Sequence, residues 1–596
     1  MASVLVPRMP TGGLRTSVTK WLRGSSGGLV ALAVVVGVGA GLGAVVFRWL
    51  ILQATRLFTG TDDYSAAGRV ANHWVPWLGI YFVVLAPVVG GLLYGPLVDR
   101  FAREARGHGV PEVMYAVAQR GGRIPAKVAG VKALASAITI GSGGSVGREG
   151  PIVQIGSALG SSLGRLVRMP ESRLRTLVAC GAAGGIAATF NTPVAGVFFA
   201  LELILADFAA SAFGAVVLAA VTASVIGRAA FGNYPFLELS SFTIVSPLEY
   251  GLFALLGVLA AGMGVLFTRV LYLFEDVADR IWKGKPEWAR PAVGGLLLGL
   301  LLLALPQMYG VGYPVLEKGV AGYYALGFLV ILMFGKILAT SLTISIGGSG
   351  GVFAPSLFIG AMLGSAYGDI ANMIFPDQAG AQAAYALVGM GAVFAGAARA
   401  PITAVLIMFE LTGEYTLILP LMLAIVIATG VSRVLMKETI YTAKLVRRGV
   451  DLSRPGGAPP GAPLPTVASV MRPMPRAIPI DLPLEAAAQR ILASGGLILP
   501  VTSEDGVVLG VVTASALSAS LAEDEDAEDL TVAAILEEAP VVSSDTPLHV
   551  AAEVLASSGT TGSAVTDADG AVIGWLTYAS VLSALAVRPG RAPQRS

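Results

Sequence analysis

Hydrophobic residues run along the first 450 positions in stretches too long for a soluble core. The run from Gly28 to about Phe58 is broken mainly by Arg48, Gln53 and Arg56. Further apolar runs lie near 77–98, 211–231, 249–273, 291–305, 321–344 and 414–436. A helix needs about 20 apolar residues to cross the ~30 Å hydrocarbon core, so each run predicts a membrane-spanning helix. Between them sit apolar segments of roughly 10–16 residues, broken by Gly and Pro and too short to span. Broken helices at membrane depth survive only where they are buried in protein or line a polar cavity. The pattern predicts a polytopic transport protein.

Composition agrees. Charged residues make up 13% of the 596, about half the ~25% usual in soluble domains. From Leu464 to Ser596 there are 6 Arg and no Lys against 16 acids, a balance of −10. The first 463 residues hold 34 basic and 22 acidic residues, a balance of +12. Between them runs Arg454–Pro463, a Pro/Gly linker that neither helix nor strand accepts. A membrane domain followed by a soluble acidic domain is therefore expected. The net charge of +2 argues against a nucleic-acid binder that neutralises phosphates. One cysteine, Cys180, permits no intrachain disulfide, and His73, His108 and His549 are too scattered for a metal cluster. Arg8, Arg15, Lys20 and Arg23 precede any acid, which predicts a cytoplasmic N-terminus over residues 1–27.

The membrane domain repeats itself. Lys132 to Ser145 aligns without a gap on Lys336 to Ser349, and Gly147, Pro151, Gly156 and Gly160 fall on Gly351, Pro355, Gly360 and Gly364. A second block, Pro193 to Glu202, falls on Pro401 to Glu410. The halves span about 28–235 and 245–450. Repeats with interrupted helices in matching places point to a midplane substrate site; the sequence does not say whether the repeat is inverted.

Three Gly-rich segments open apolar helices: Gly107-His-Gly-Val-Pro-Glu-Val113, Gly147-Arg-Glu-Gly-Pro151 and Gly351-Val-Phe-Ala-Pro355. Each carries Pro where a helix begins, the place that best tolerates a missing N–H. Helix N-termini bear unpaired amides and about half a positive charge, so they bind anions without a fixed cation. Several meeting at one depth would hold a small anion yet release it.

These segments, together with Ile440-Tyr-Thr-Ala-Lys444, resemble the CLC family of chloride channels and proton-coupled chloride transporters over residues 28–450. The resemblance implies an inverted repeat of broken helices and a homodimer with one pore per subunit, and the short tail and Ala/Gly-rich helices point to a bacterial inner membrane. It also implies a chloride site that needs no cofactor. Glu149 takes the position of the family's gating glutamate, a tethered anion that competes with chloride and is released by protonation. His108, Gly109, Arg148, Gly150, Val352, Phe353 and Tyr441 are the expected anion-site residues. The family usually has Ser where this chain has His108; an imidazole there could make conduction pH-dependent or simply cap the helix. Arg148 is expected to pack with an acid rather than to bind the anion. Coupled relatives carry two adjacent acids after the Pro193 helix, whereas this chain reads Glu202-Leu203. Leucine carries no proton, which favours a passive voltage- or pH-gated channel. The alternative is a proton-coupled antiporter, with Glu202 and His108 as candidate proton groups. The matched positions of Glu202 and Glu410 favour a structural role for both.

Residues 466–523 and 530–588, after a linker at 451–465, form two similar units of Val-rich strand, Pro-led helix and hairpin. They resemble a pair of small α/β CBS modules on the cytoplasmic side. The family's nucleotide-binding Gly-x-x-Thr stretch ends in Asp; here Ala516 and Ser580 stand in that place. This argues against adenine nucleotide binding and leaves only Thr513 and Thr577 as contacts. The acidic run Glu523–Asp529 reads as a solvated loop, and the pair as a dimer scaffold.

Two other functions compete. A cation transporter could use Glu149, Glu202 and Glu410 as ligands, but converging helix N-termini repel cations. An intramembrane enzyme lacks any Ser/His, His-Glu-x-x-His or paired-Asp motif. Fluoride selectivity is disfavoured by Tyr441 and by the ordinary third segment.

Overall fold

Eight successive helices in the first half of the membrane domain have counterparts, in the same order, in the second. Ser26–Thr59 corresponds to Leu248–Trp282, Phe82–Phe101 to Arg290–Ala304, and Val110–Gln119 to Tyr313–Val320. Lys127–Gly141 corresponds to Leu326–Ser345, Glu149–Leu166 to Phe353–Ile374, and Glu171–Phe190 to Gln382–Ala398. Pro193–Leu205 and Pro401–Thr412 follow, then Ala210–Phe231 and Ile418–Leu435. This computed structural model describes residues 21–233, 244–451, 465–494, 497–503, 507–523, 530–558 and 560–586. Arg8, Arg15, Lys20, the Arg454–Pro463 linker and residues 524–529 of the acidic run lie outside the described residues. The chain divides into two units, Met1–Arg448 and Gly449–Ser596.

Among the described residues, eight helices are long and apolar enough to cross a membrane. Seven coincide with the predicted runs. The eighth, Phe353–Ile374, was expected as a short, broken segment, and Glu149–Leu166 and Glu171–Phe190 likewise run to 18 and 20 residues. Their glycines do not break them; they let helices touch. A Cβ on Gly156 would lie 2.1 Å from the Gly181 carbonyl oxygen, and one on Gly360 2.4 Å from that of Gly389. Close approach through small residues is how helices associate where lipid supplies no hydrophobic drive.

The two halves grip each other reciprocally. Ser145 N–H donates to Thr343 Oγ1 (3.1 Å) and Ser349 N–H to Thr139 Oγ1 (3.3 Å). Gly147 N–H donates to the Gly351 carbonyl (2.8 Å), and Gly351 N–H returns the bond (2.6 Å). A contact from i to j repeated from j to i is the signature of a two-fold axis. The Gly147–Gly351 pairing is antiparallel, so the two helices that follow it start together and diverge, as an inverted repeat requires. Two buried lysines brace this centre. Lys132 Nζ donates to the Ala105 (2.9 Å) and Gly107 (2.7 Å) carbonyls. Lys336 Nζ donates to Val311 O and to Ser145 Oγ, both at 2.9 Å.

The second unit holds two three-stranded sheets. In the first, β1 (Ile478–Pro479) pairs in parallel with β2 (Ile498–Thr502), which pairs antiparallel with β3 (Val508–Thr513). β4 (Val541–Ser543), β5 (Gly562–Thr566) and β6 (Val572–Thr577) repeat that order. The predicted boundaries miss an exchange between the modules. Val467, from the opening of the first, packs in the core of the second, and Val532 in the core of the first. Residues contiguous in sequence are divided between cores because each opening segment finds its apolar partners across the pair.

Candidate anion site

Four helices begin at the centre of the membrane unit, at Val110, Glu149, Tyr313 and Phe353. Pro occupies the first turn of each, as Pro111, Pro151, Pro314 and Pro355, fixing φ without sacrificing a needed donor. The loops before them meet backbone to backbone. A Cβ on Gly150 would lie 1.9 Å from the His108 carbonyl oxygen. Gly109 adopts φ +83°, open to glycine, and a Cβ there would sit 2.6 Å from Gly150 O. No side chain fits between these turns, so the main chain itself shapes the site.

Glu149 is buried at this meeting point. Its Oε1 accepts from the Tyr313 hydroxyl at 2.6 Å, and its Oε2 from the Ala354 N–H at 3.4 Å. The tethered carboxylate therefore sits at converging helix N-termini, where an anion is favoured. The amide that reaches it is one residue beyond the expected Val352 and Phe353, both of which are buried beside it. Phe353 packs on Phe394 and Phe190, with ring centroids at 4.6 and 5.7 Å.

Tyr441 is buried and within electrostatic reach of Glu149. Its segment is pinned by Ile440 N–H to Ala397 O (2.9 Å) and by the Tyr272 hydroxyl to Ile440 O (2.7 Å). Arg148 departs from expectation. It makes no ion pair with an acid among the described residues; its guanidinium lies over the rings of Tyr313 (5.0 Å) and Phe190 (5.8 Å). Aromatic faces attract the cation in place of an acid, and its guanidinium also hydrogen-bonds the Tyr313 side chain.

His108 lies on the other side of the loop. Its ring is fully buried, neither nitrogen has a hydrogen-bond partner, and Nε2 stands 4.0 Å from Glu275 Oε1. Lys444 Nζ shares that carboxylate at 3.6 Å. Two cavities reach the centre. One of about 710 Å³ is lined by Arg48, Arg148, Tyr309 and Tyr313, and another of about 690 Å³ by Gly107, Glu275, Lys444 and Arg448.

Glu202 and Glu410 lie apart from Glu149 and cap helices across the repeat. Glu410 accepts from Val194 N–H (3.0 Å) and Ala195 N–H (2.7 Å). Glu202 accepts from Ile402 N–H (3.2 Å), Thr403 N–H (2.9 Å) and Thr403 Oγ1 (2.6 Å). In the second unit, Thr513 Oγ1 donates to Glu537 Oε1 (3.0 Å), and Thr577 Oγ1 accepts from Ser580 N–H (3.2 Å). A carboxylate on Thr513 disfavours a phosphate there.

Tyr313 and Glu275 were missed in the sequence. For Tyr313 a signal existed: Gly310-Val-Gly-Tyr-Pro314 repeats the Gly-x-Gly-x-Pro spacing of Gly107–Pro111. For Glu275, one of four acids in a 35-residue helix, there was none.

Residues 90–433 match the family described as voltage gated chloride channel, and residues 467–523 and 532–587 each match the CBS domain. The chain is 34% identical over 432 residues to the putative chloride channel protein ClcB-like of Ralstonia nicotianae, covering 72% of this chain and 98% of that protein. It is 34% identical over 424 residues to the H(+)/Cl(-) exchange transporter ClcA of Vibrio cholerae, covering 70% and 88%. Among solved structures, a slow cyanobacterial Cl-/H+ antiporter matches with a TM-score of 0.64 and 27% identity, over 72% of this chain and 99% of the other.

Proposed function

The chain belongs to the voltage gated chloride channel (CLC) family, a polytopic membrane chloride transporter with a CBS pair, and on that premise we propose that it exchanges chloride for protons. The passive channel favoured by Leu203 gives way to the alternative. Relatives matching over most of the membrane domain are named as exchangers, and the proton route need not pass through residue 203. One observation carries the reading: a buried carboxylate, Glu149, occupies the place an anion would take among helix N-termini. An ionised Glu149 excludes chloride. Protonation removes its charge and its claim on those amides, so chloride replaces it. Each cycle of the gate then moves a proton against an anion.

Glu202 is committed to the start of the Pro401 helix, so the proton's approach is assigned to His108 and Glu275. Glu275 borders the 690 Å³ cavity and faces the buried ring. The functional unit is a homodimer, one pore per subunit, with both termini cytoplasmic.

The test is proton movement in proteoliposomes under a chloride gradient alone. Exchange predicts uphill proton flux and a reversal potential that shifts with pH. A reversal potential that follows chloride and ignores pH would overturn exchange in favour of a channel. In E275Q, chloride flux persists while proton flux falls at least several-fold; unchanged coupling would remove Glu275 from the route.

A further inference from the structure

The Glu149 carboxylate is held by one side chain, Tyr313, and by main-chain amides, its own and that of Ala354, and these partners are unequal. The Tyr313 hydroxyl at 2.6 Å lies in the range of short charge-assisted bonds. The Ala354 amide at 3.4 Å is at the outer limit of hydrogen bonding. The strongest single hold on the ionised gate is therefore one phenol.

That phenol is fixed in place. Gly312, at φ +85°, turns the chain into the Tyr313–Val320 helix, and Pro314 stiffens its first turn. The ring lines the 710 Å³ cavity with Arg148 over its face. The repeat adds a second argument. At the symmetry-related positions, Val110 stands for Tyr313 and Phe353 for Glu149. A carboxylate and a hydroxyl in one arrangement thus correspond to two apolar residues in its mate, so folding of the repeat does not require the pair.

We propose that Tyr313 is a positioning residue that latches the ionised Glu149 in the pore. Chloride must break this bond as well as displace the carboxylate. Protonating Glu149 converts a charge-assisted bond into a weaker neutral one, and the latch loosens when the gate is due to leave. The charged and titratable groups around Glu149 are Arg148 on its own helix, Tyr313, Tyr441, and Lys336 from Leu326–Ser345. Arg148, Tyr441 and Lys336 are not altered by the test. The inference rests on Glu149 being the gate.

The experiment measures chloride flux in proteoliposomes against pH for wild type, Y313F, E149A and E149A/Y313F. Y313F keeps the ring and removes the hydroxyl. Its flux at pH 7 is expected to rise by roughly ten- to a hundred-fold, the worth of one hydrogen bond to a charged group. Its rise toward the acid plateau moves to higher pH, because the ionised form loses a stronger bond than the protonated form does. Wild type and Y313F converge in acid. E149A/Y313F matches E149A within about two-fold, since a latch without a gate does nothing. An increase that survives in the E149A background, or no change in Y313F, overturns the latch while leaving the gate intact. If E149A itself neither uncouples nor accelerates flux, the gate reading fails first. Should Y313F not purify as a single species, Y313M removes the same hydroxyl while keeping comparable bulk.

Discussion

The two halves of the membrane domain share a scaffold but not a chemistry. Lys132 and Lys336, Ser145 and Ser349, and Glu202 and Glu410 occupy matched positions and make matched contacts. Glu149 and Phe353 also match in position, yet one is a buried acid and the other a packed aromatic ring. Tyr313 and Val110 differ in the same way. What is kept in both halves satisfies backbone groups that have no water to bond, an obligation at any membrane depth. What differs is free to carry function. Polarity alone is therefore a poor guide: the buried lysines and the matched glutamates bond backbone groups of the scaffold, whereas the unmatched acid is the one we propose as the gate.

The comparison breaks most severely at its shared centre. Gly150→Ala forces a methyl against the His108 carbonyl; loss of chloride flux and of a monodisperse protein is expected, and a folded, active G150A would show that the loops yield. Lys132→Ala comes next, removing the charged donor from the Ala105 and Gly107 carbonyls, which keep Ser349 Oγ and Gly350 N–H, at a cost of about 1.5–3 kcal/mol for each charged hydrogen bond lost. A fall in thermal stability measured by fluorescence checks it. E149A acts on the unmatched side: proton flux falls to background while chloride still flows and the melting temperature holds.

Smaller effects sharpen the same division. E202Q and E410Q each weaken a helix cap by about 1 kcal/mol, so both should lower the melting temperature by similar small amounts, and neither should abolish proton coupling. Selective loss of coupling in E202Q would instead return Glu202 to the proton route. The smallest effect belongs to the second unit: millimolar ATP should leave its melting temperature unchanged, because Glu537 engages Thr513. A stabilisation of several degrees would restore nucleotide binding there.

Much of this was legible in the chain. Apolar runs marked seven of the spans, because lipid demands about 20 apolar residues whatever the fold. The repeat, the Pro-led helix starts and Glu149 were equally plain, since each is a local pattern of residue types. Phe353–Ile374 was not. Its glycines read as interruptions and serve as contact surfaces, and only the neighbouring helix decides between the two. The exchange of opening segments between the CBS modules was hidden for the same reason.

By itself, then, the sequence determined a polytopic membrane protein with an internal repeat, an acidic tail, and a set of Pro-led helix starts, one of them carrying an acid. The tertiary structure alone decided that Glu202 and Glu410 cap each other's halves, that Arg148 lies on aromatic rings, and that Tyr313 bonds Glu149 while Glu275 faces His108. Residue type and spacing fix what a segment can do locally. Which groups meet across about 200 residues depends on the two-fold axis that folds one half onto the other.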